Sequence, residues 1–147
     1  MQLANTMQGE WSLIERTSGR VVVERLELAV GYWSRLRGLQ FRKRLPDGQG
    51  LLLAPGSSIH TCFVRFPIDV FFLDATGQVI GWRANVKPWR VALAPRKTRA
   101  VLELPAGAAS LDVGEVLSVH TPHPDARVPK PLRFLAASQP PQGDPGS

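Results

Sequence analysis

A single cysteine, Cys62, stands in 147 residues, which leaves no intramolecular disulfide and no cysteine-cluster zinc site. The three histidines, His60, His120 and His123, are widely separated and show no ligand spacing, so neither a metal nor any other cofactor is expected. Long apolar runs are also missing. The longest are Leu51-Leu52-Leu53-Ala54 and Val70-Phe71-Phe72-Leu73, far short of the roughly 18 apolar residues that cross a bilayer. No membrane partner is expected on that ground. The stretch from Met1 to Glu10 lacks the basic start and apolar centre of a secretory signal, which makes the cytoplasm the expected location. Acidic residues are absent from Gly77 all the way to Leu102.

What is present is ordinary globular material. Hydrophobic residues make up 44% and charged residues 20%, enough for a core, and the length suits one domain. The composition divides the chain into a single β-rich domain over 1–121 and a proline-rich tail over 122–147. Seven of the 13 prolines fall in that tail, its end should be disordered, and Leu132, Phe134 and Leu135 offer apolar groups able to dock back.

The patterning is that of short strands and tight turns. Glu10–Ile14 and Arg20–Leu28 flank Thr17-Ser18-Gly19 as an opening hairpin. Further strands are read at Gly50–Ala54, Ile59–Arg65, Ile68–Asp74, Gln78–Ala84, Arg99–Leu104 and Val116–His120. Ser34 caps a short helix that carries Leu36 and Leu39, and Ala106–Leu111 reads as a second. The expected fold is mainly β (α+β): a compact, partly closed antiparallel barrel of about eight short strands with two short helices.

Several separated motifs resemble one known family. They are Arg35-Leu36-Arg37-Gly38-Leu39, the run from Ser58 through His60, Cys62 and Phe66-Pro67-Ile68-Asp69, then Val70–Asp74, Lys87-Pro88-Trp89-Arg90 and Val101–Gly107. In this order, over roughly residues 20 to 120, they resemble domain of unknown function 192. The resemblance implies a compact β-rich domain and assigns no activity. Cys62 departs from the family pattern, which speaks against a cysteine mechanism.

Candidate chemistry is sparse. His60 and Cys62, two apart on a strand, share a face but stand about 6.5 to 7 Å apart, beyond hydrogen-bond reach. Asp69 enters an apolar strand and needs partners, either loop amides or an arginine such as Arg65. Alternation puts Glu103 on the face opposite Leu102 and Leu104, where it is a solvated residue or a second carboxylate opposing Asp69. Trp82, Arg83, Trp89 and Arg90 form a recognition-type cluster beside Lys87.

No complete catalytic set is visible, so the reading leans away from an enzyme. The leading expectation is a non-catalytic binding domain that takes a small or anionic ligand in a cleft near His60 and Asp69, lined by Trp82, Arg83, Trp89 and Arg90. One alternative is a hydrolase using His60 with Asp69 or Glu103. The other is nucleic-acid binding through the basic stretches 35–44 and 83–99, in keeping with the net charge of +6.

Overall fold

A computed structural model of the protein describes residues 6–31, 42–55, 59–60, 65–108 and 110–136, with the side chains of 6–9 and 59–60 excepted. The helix expected around Ser34–Leu39 and the lone Cys62 lie outside the described residues.

Among the described residues the apolar and β-branched runs form nine strands: β1 (Thr6–Glu15), β2 (Val21–Ala29), β3 (Gln49–Leu53), β4 (Ile59–His60), β5 (Ile68–Leu73), β6 (Val79–Val86), β7 (Val91–Ala92), β8 (Ala100–Pro105) and β9 (Leu117–His120). Seven of them make one sheet in the order β6-β5-β8-β3-β2-β1-β9, while β4 and β7 pair separately. The sheet is mixed, because β2 and β3 run parallel. Parallel neighbours need a long crossover, and the connection from Ala29 to Gln49 is long enough to supply one.

Two expectations are corrected. The sheet does not close into an antiparallel barrel: β6 and β9 are its edges, and they meet at one corner, where Gln78 bridges Val116 and the Val79 amide donates to the Glu115 carbonyl at 2.9 Å. The described residues of Ala106–Leu111, all but 109, are not helical. The Ala108 amide donates to the Pro105 carbonyl at 3.0 Å, and Gly107 takes a left-handed φ of 76°, so the chain turns once after β8 and runs on irregularly. Among the described residues the one helix is a 3-10 segment, Lys130–Leu135.

Turn chemistry fixes both hairpins. At the β1–β2 turn the Glu15 carboxylate accepts from the Ser18 hydroxyl at 2.6 Å and from the Ser18 and Thr17 amides at 2.7 and 3.0 Å. Those bonds, the hydroxyl's foremost, hold its pKa down to about 2. At the β5–β6 turn Asp74 accepts from the amides of Thr76 and Gln78, and Gly77 supplies a φ of 83°.

The sheet buries both faces. On one lie Trp11, Leu13, Leu26, Leu28, Phe71 and Leu102, closed over by Leu132 and Leu135 of the 3-10 helix. On the other lie Leu51, Leu53, Ile68, Val70, Phe72 and Val101. Every residue of β5 is buried, as expected of a central strand covered on both sides.

Candidate functional site at the corner of β6 and β7

The candidate site grows from the end of the edge strand β6. Pairing with β5 shifts register twice, between Phe72 and Leu73 and between Ile68 and Val70, so β6 is bulged near both ends. Bulges re-aim side chains and blunt an exposed edge. At the second bulge Asn85 adopts a left-handed φ of 51° and its amide donates to Asp69 Oδ1 at 2.8 Å. The other oxygen, Oδ2, accepts from the Gly107 amide at 2.9 Å. Asp69 is thereby a buried brace that ties β6 to the turn after β8, with both oxygens on backbone amides as its burial demands.

Beyond Val86 the chain turns through Pro88 and Trp89 into β7, whose Val91 and Ala92 pair with His60 and Ile59. Trp89 holds a left-handed φ of 63°, uncommon for so bulky a residue, and its side chain is 60% exposed. The segment returns through a second tight turn, where Lys97 has φ 72° and the Thr98 hydroxyl donates to the Pro95 carbonyl at 2.7 Å. Pro95 packs on Gly81 of β6, where an added Cβ would stand 3.0 Å from the proline ring. All three left-handed non-glycine residues among the described residues thus fall between Asn85 and Lys97.

This geometry leaves an open cleft of about 490 Å³ lined by Arg83, Asn85, Lys87, Arg90, Val91 and Leu93 among others. Arg83 and Arg90 each donate through Nη1 to the carbonyl of the preceding tryptophan, at 2.9 and 3.4 Å, which fixes part of each guanidinium. Of the residues expected from sequence, Arg83 and Arg90 line the cleft and Trp89 stands between Pro88 and Arg90. Asp69 supports the cleft from beneath through Asn85. The backbone of His60 pairs with Val91 at its wall. Trp82 is elsewhere: it lies opposite Phe71 on the other face of the sheet, its ring stacked on that phenyl with centroids 5.6 Å apart and planes 7° from parallel. Lys87, Val91 and Leu93 were not among the expected ligand residues. Lys87 was signalled by its place in the acid-free stretch, whereas exposed aliphatics at 91 and 93 leave no signal in a sequence.

Glu103 sits apart. Leu51 and Val70 oppose it on β3 and β5, so it shares their face, while Asp69 opposes Leu104 and belongs to the other. The two carboxylates therefore point to opposite sides of the sheet and form no acid–base pair. Glu103 is 5% exposed, and its Oε2 meets no hydrogen-bond donor among the described residues. Burial pushes its pKa up to about 7, against the pull of Arg42. Arg42 itself is held by Glu27 at 3.1 and 2.6 Å, which neutralises one cation of the first basic stretch. Among the described residues no three His, Cys, Asp or Glu gather as metal ligands.

Mainly β architecture, an uncommitted cleft and these motifs define a small β-sheet domain with no assigned chemistry. The chain belongs to the DUF192 family, described as an uncharacterised conserved group, whose sequence profile matches residues 13–119. A UPF0127 protein of Pyrococcus furiosus is 30% identical over 113 residues, 71% of this chain and 95% of that protein. A crystal structure of a protein of unknown function from Novosphingobium aromaticivorans is 25% identical with a TM-score of 0.64, covering 79% of this chain and 94% of its own. A further crystal structure, from Sinorhizobium meliloti and described as a candidate transcription regulator, has a TM-score of 0.67 at 23% identity over 81% of this chain and 98% of its own, a likeness of fold alone. No helix among the described residues is long and apolar enough to cross a membrane.

Proposed function

We propose that the protein is a non-catalytic binding domain that holds an anionic ligand in the cleft at the β6–β7 corner. One observation carries this reading: Arg83, Lys87 and Arg90 converge on a single cleft within a stretch that has no acidic residue from Gly77 to Leu102. Three cationic side chains lining one concavity give it a positive potential that draws an anion. The wall is preorganised, because Asp69 pins Asn85 and Pro95 pins the returning loop to Gly81. A preformed site loses less ordering entropy on binding.

Thermal unfolding against inorganic phosphate, nucleotides and short oligonucleotides tests this reading. A ligand at about 100 times its Kd stabilises by about 2.7 kcal/mol, a shift of several degrees at this chain length. We expect at least one anion to give that shift, and the variant Arg83→Gln/Lys87→Gln/Arg90→Gln to lose it while keeping its own unfolding cooperative. A panel without any shift, or a shift the triple variant retains, overturns the proposal.

Nucleic acid is the second reading, favoured by an exposed indole beside cations, the arrangement that stacks bases in single-strand binders. The engagement of Arg42 by Glu27 weakens the version that uses both basic stretches.

A further inference from the structure

Resting on the reading of the cleft as an anion site, we infer that its ligand is the phosphate headgroup of an anionic lipid bilayer, with Trp89, Val91 and Leu93 entering the acyl boundary. The three large apolar side chains most exposed among the described residues are Leu93 at 70%, Val91 at 65% and Trp89 at 60%, all within five consecutive positions. Between Val91 and Leu93 the chain turns Ala92 inward, where it is 4% exposed and packs in the second core cluster. The segment is therefore anchored by Ala92 and presents its apolar groups outward by design of the alternation, rather than through local looseness. Beside them Arg83, Lys87 and Arg90 line the cleft to which Val91 and Leu93 also belong.

An apolar ridge flanked by cations is matched by a surface that is anionic outside and apolar just beneath. Tryptophan settles at the boundary between headgroups and acyl chains, aliphatic side chains gain by leaving water there, and lysine and arginine are drawn to the negative surface. Nucleic acid satisfies the cations and the indole, but it offers little apolar surface to Val91 and Leu93. A soluble anion held within the cleft leaves the ridge in water. The absence of long apolar runs bears on crossing a bilayer, and docking on its surface requires none.

The test is co-sedimentation of the full chain with vesicles of phosphatidylcholine alone and of phosphatidylcholine mixed with phosphatidylglycerol, at low and high salt. The wild type should bind the mixed vesicles, not the neutral ones, and release them as salt rises. Val91→Ser/Leu93→Ser should weaken vesicle binding roughly tenfold or more, from lost apolar burial, whatever it does to the thermal shift with inorganic phosphate or an oligonucleotide. Lys87→Gln/Arg90→Gln should lose both. Equal binding to neutral vesicles, or no effect of Val91→Ser/Leu93→Ser, overturns the membrane assignment. If mixed vesicles fail while phosphate or an oligonucleotide still gives a shift that Lys87→Gln/Arg90→Gln abolishes, the anion site stands and the membrane falls. If none binds, both fall.

Discussion

Two buried carboxylates illustrate how the same residue type carries opposite meanings. Asp69 has an amide for each oxygen and serves as a brace. Glu103 is buried between Leu51 and Val70 with Oε2 unsatisfied. Burial raises the Glu103 pKa from 4.5 to about 7, so the folded chain holds its proton over a range in which the unfolded chain has released it. Stability from this group is therefore fully present below about pH 4.5, falls as pH rises towards about 7, and is flat beyond. The loss is on the order of 3 kcal/mol. Glu103→Gln has no proton to lose. Urea unfolding at acid and at mildly alkaline pH should find the variant close to wild type in acid and more stable above neutrality. A wild type and variant that keep a constant difference across pH would show that the carboxyl ionises freely. Both dispositions were partly legible: an aspartate entering an apolar strand calls for amides, and alternation placed Glu103 away from Leu102 and Leu104. Which faces of the sheet are covered is a property of the assembled fold, so the carboxylates' separation onto opposite faces was not legible.

At the scale of elements, runs and turns were readable and partners were not. Seven of the eight expected strands coincide with observed ones, because apolar runs bounded by glycine and proline mark extended segments whatever they pair with; of Ile59–Arg65 the strand covers Ile59–His60, and residues 61–64 lie outside the described residues. The parallel pairing of β2 with β3 escaped the sequence expectation, since a strand's pattern does not encode its neighbour. The helix read at Ala106–Leu111 failed at Gly107, whose left-handed backbone starts a turn where a helix would need right-handed residues. The cleft was legible as chemistry, through Arg83, Trp89 and Arg90, but its shape depends on bulges and left-handed residues that no local pattern announces. Two glycines of similar φ separate conformational strain from steric conflict. A Cβ at Gly77 would lie 2.7 Å from the Leu117 carbonyl oxygen, whereas a Cβ at Gly107 meets nothing within 4 Å. Gly107→Ala should therefore show the backbone term alone, about 1 kcal/mol. Gly77→Ala should exceed it by about 1 kcal/mol or more, because the corner joining β6 to β9 must also shift. Equal losses in denaturant unfolding would mean that the corner yields at little cost.

For the whole molecule, the question is where the folding unit ends. Composition alone puts a break after Thr121, where prolines accumulate, yet two of the fully buried leucines of the first core cluster come from beyond it. Leu132 and Leu135 have no exposed surface, and Ala136 bridges back to Val119 of β9. Leu135 also packs at the corner, its Cδ2 2.9 Å from where a Cβ on Gly77 would stand. Pro131 suits the start of the 3-10 helix, which needs no amide from it there, so prolines here position a docked segment. Each leucine replaced by alanine should cost about 2–5 kcal/mol, from lost burial and the cavity left behind. A chain cut after Thr121 loses both leucines and uncovers apolar surface around Leu117 and Val119. Against a total stability of about 5–15 kcal/mol, that cut should abolish cooperative unfolding, while a chain ending at Ala136 should retain it. Near-equal midpoints for the two truncations would make the 3-10 helix a passenger and return the boundary to Thr121. A folded 1–136 beside an unfolded 1–121 would establish that the sheet is stable only with its C-terminal clasp in place.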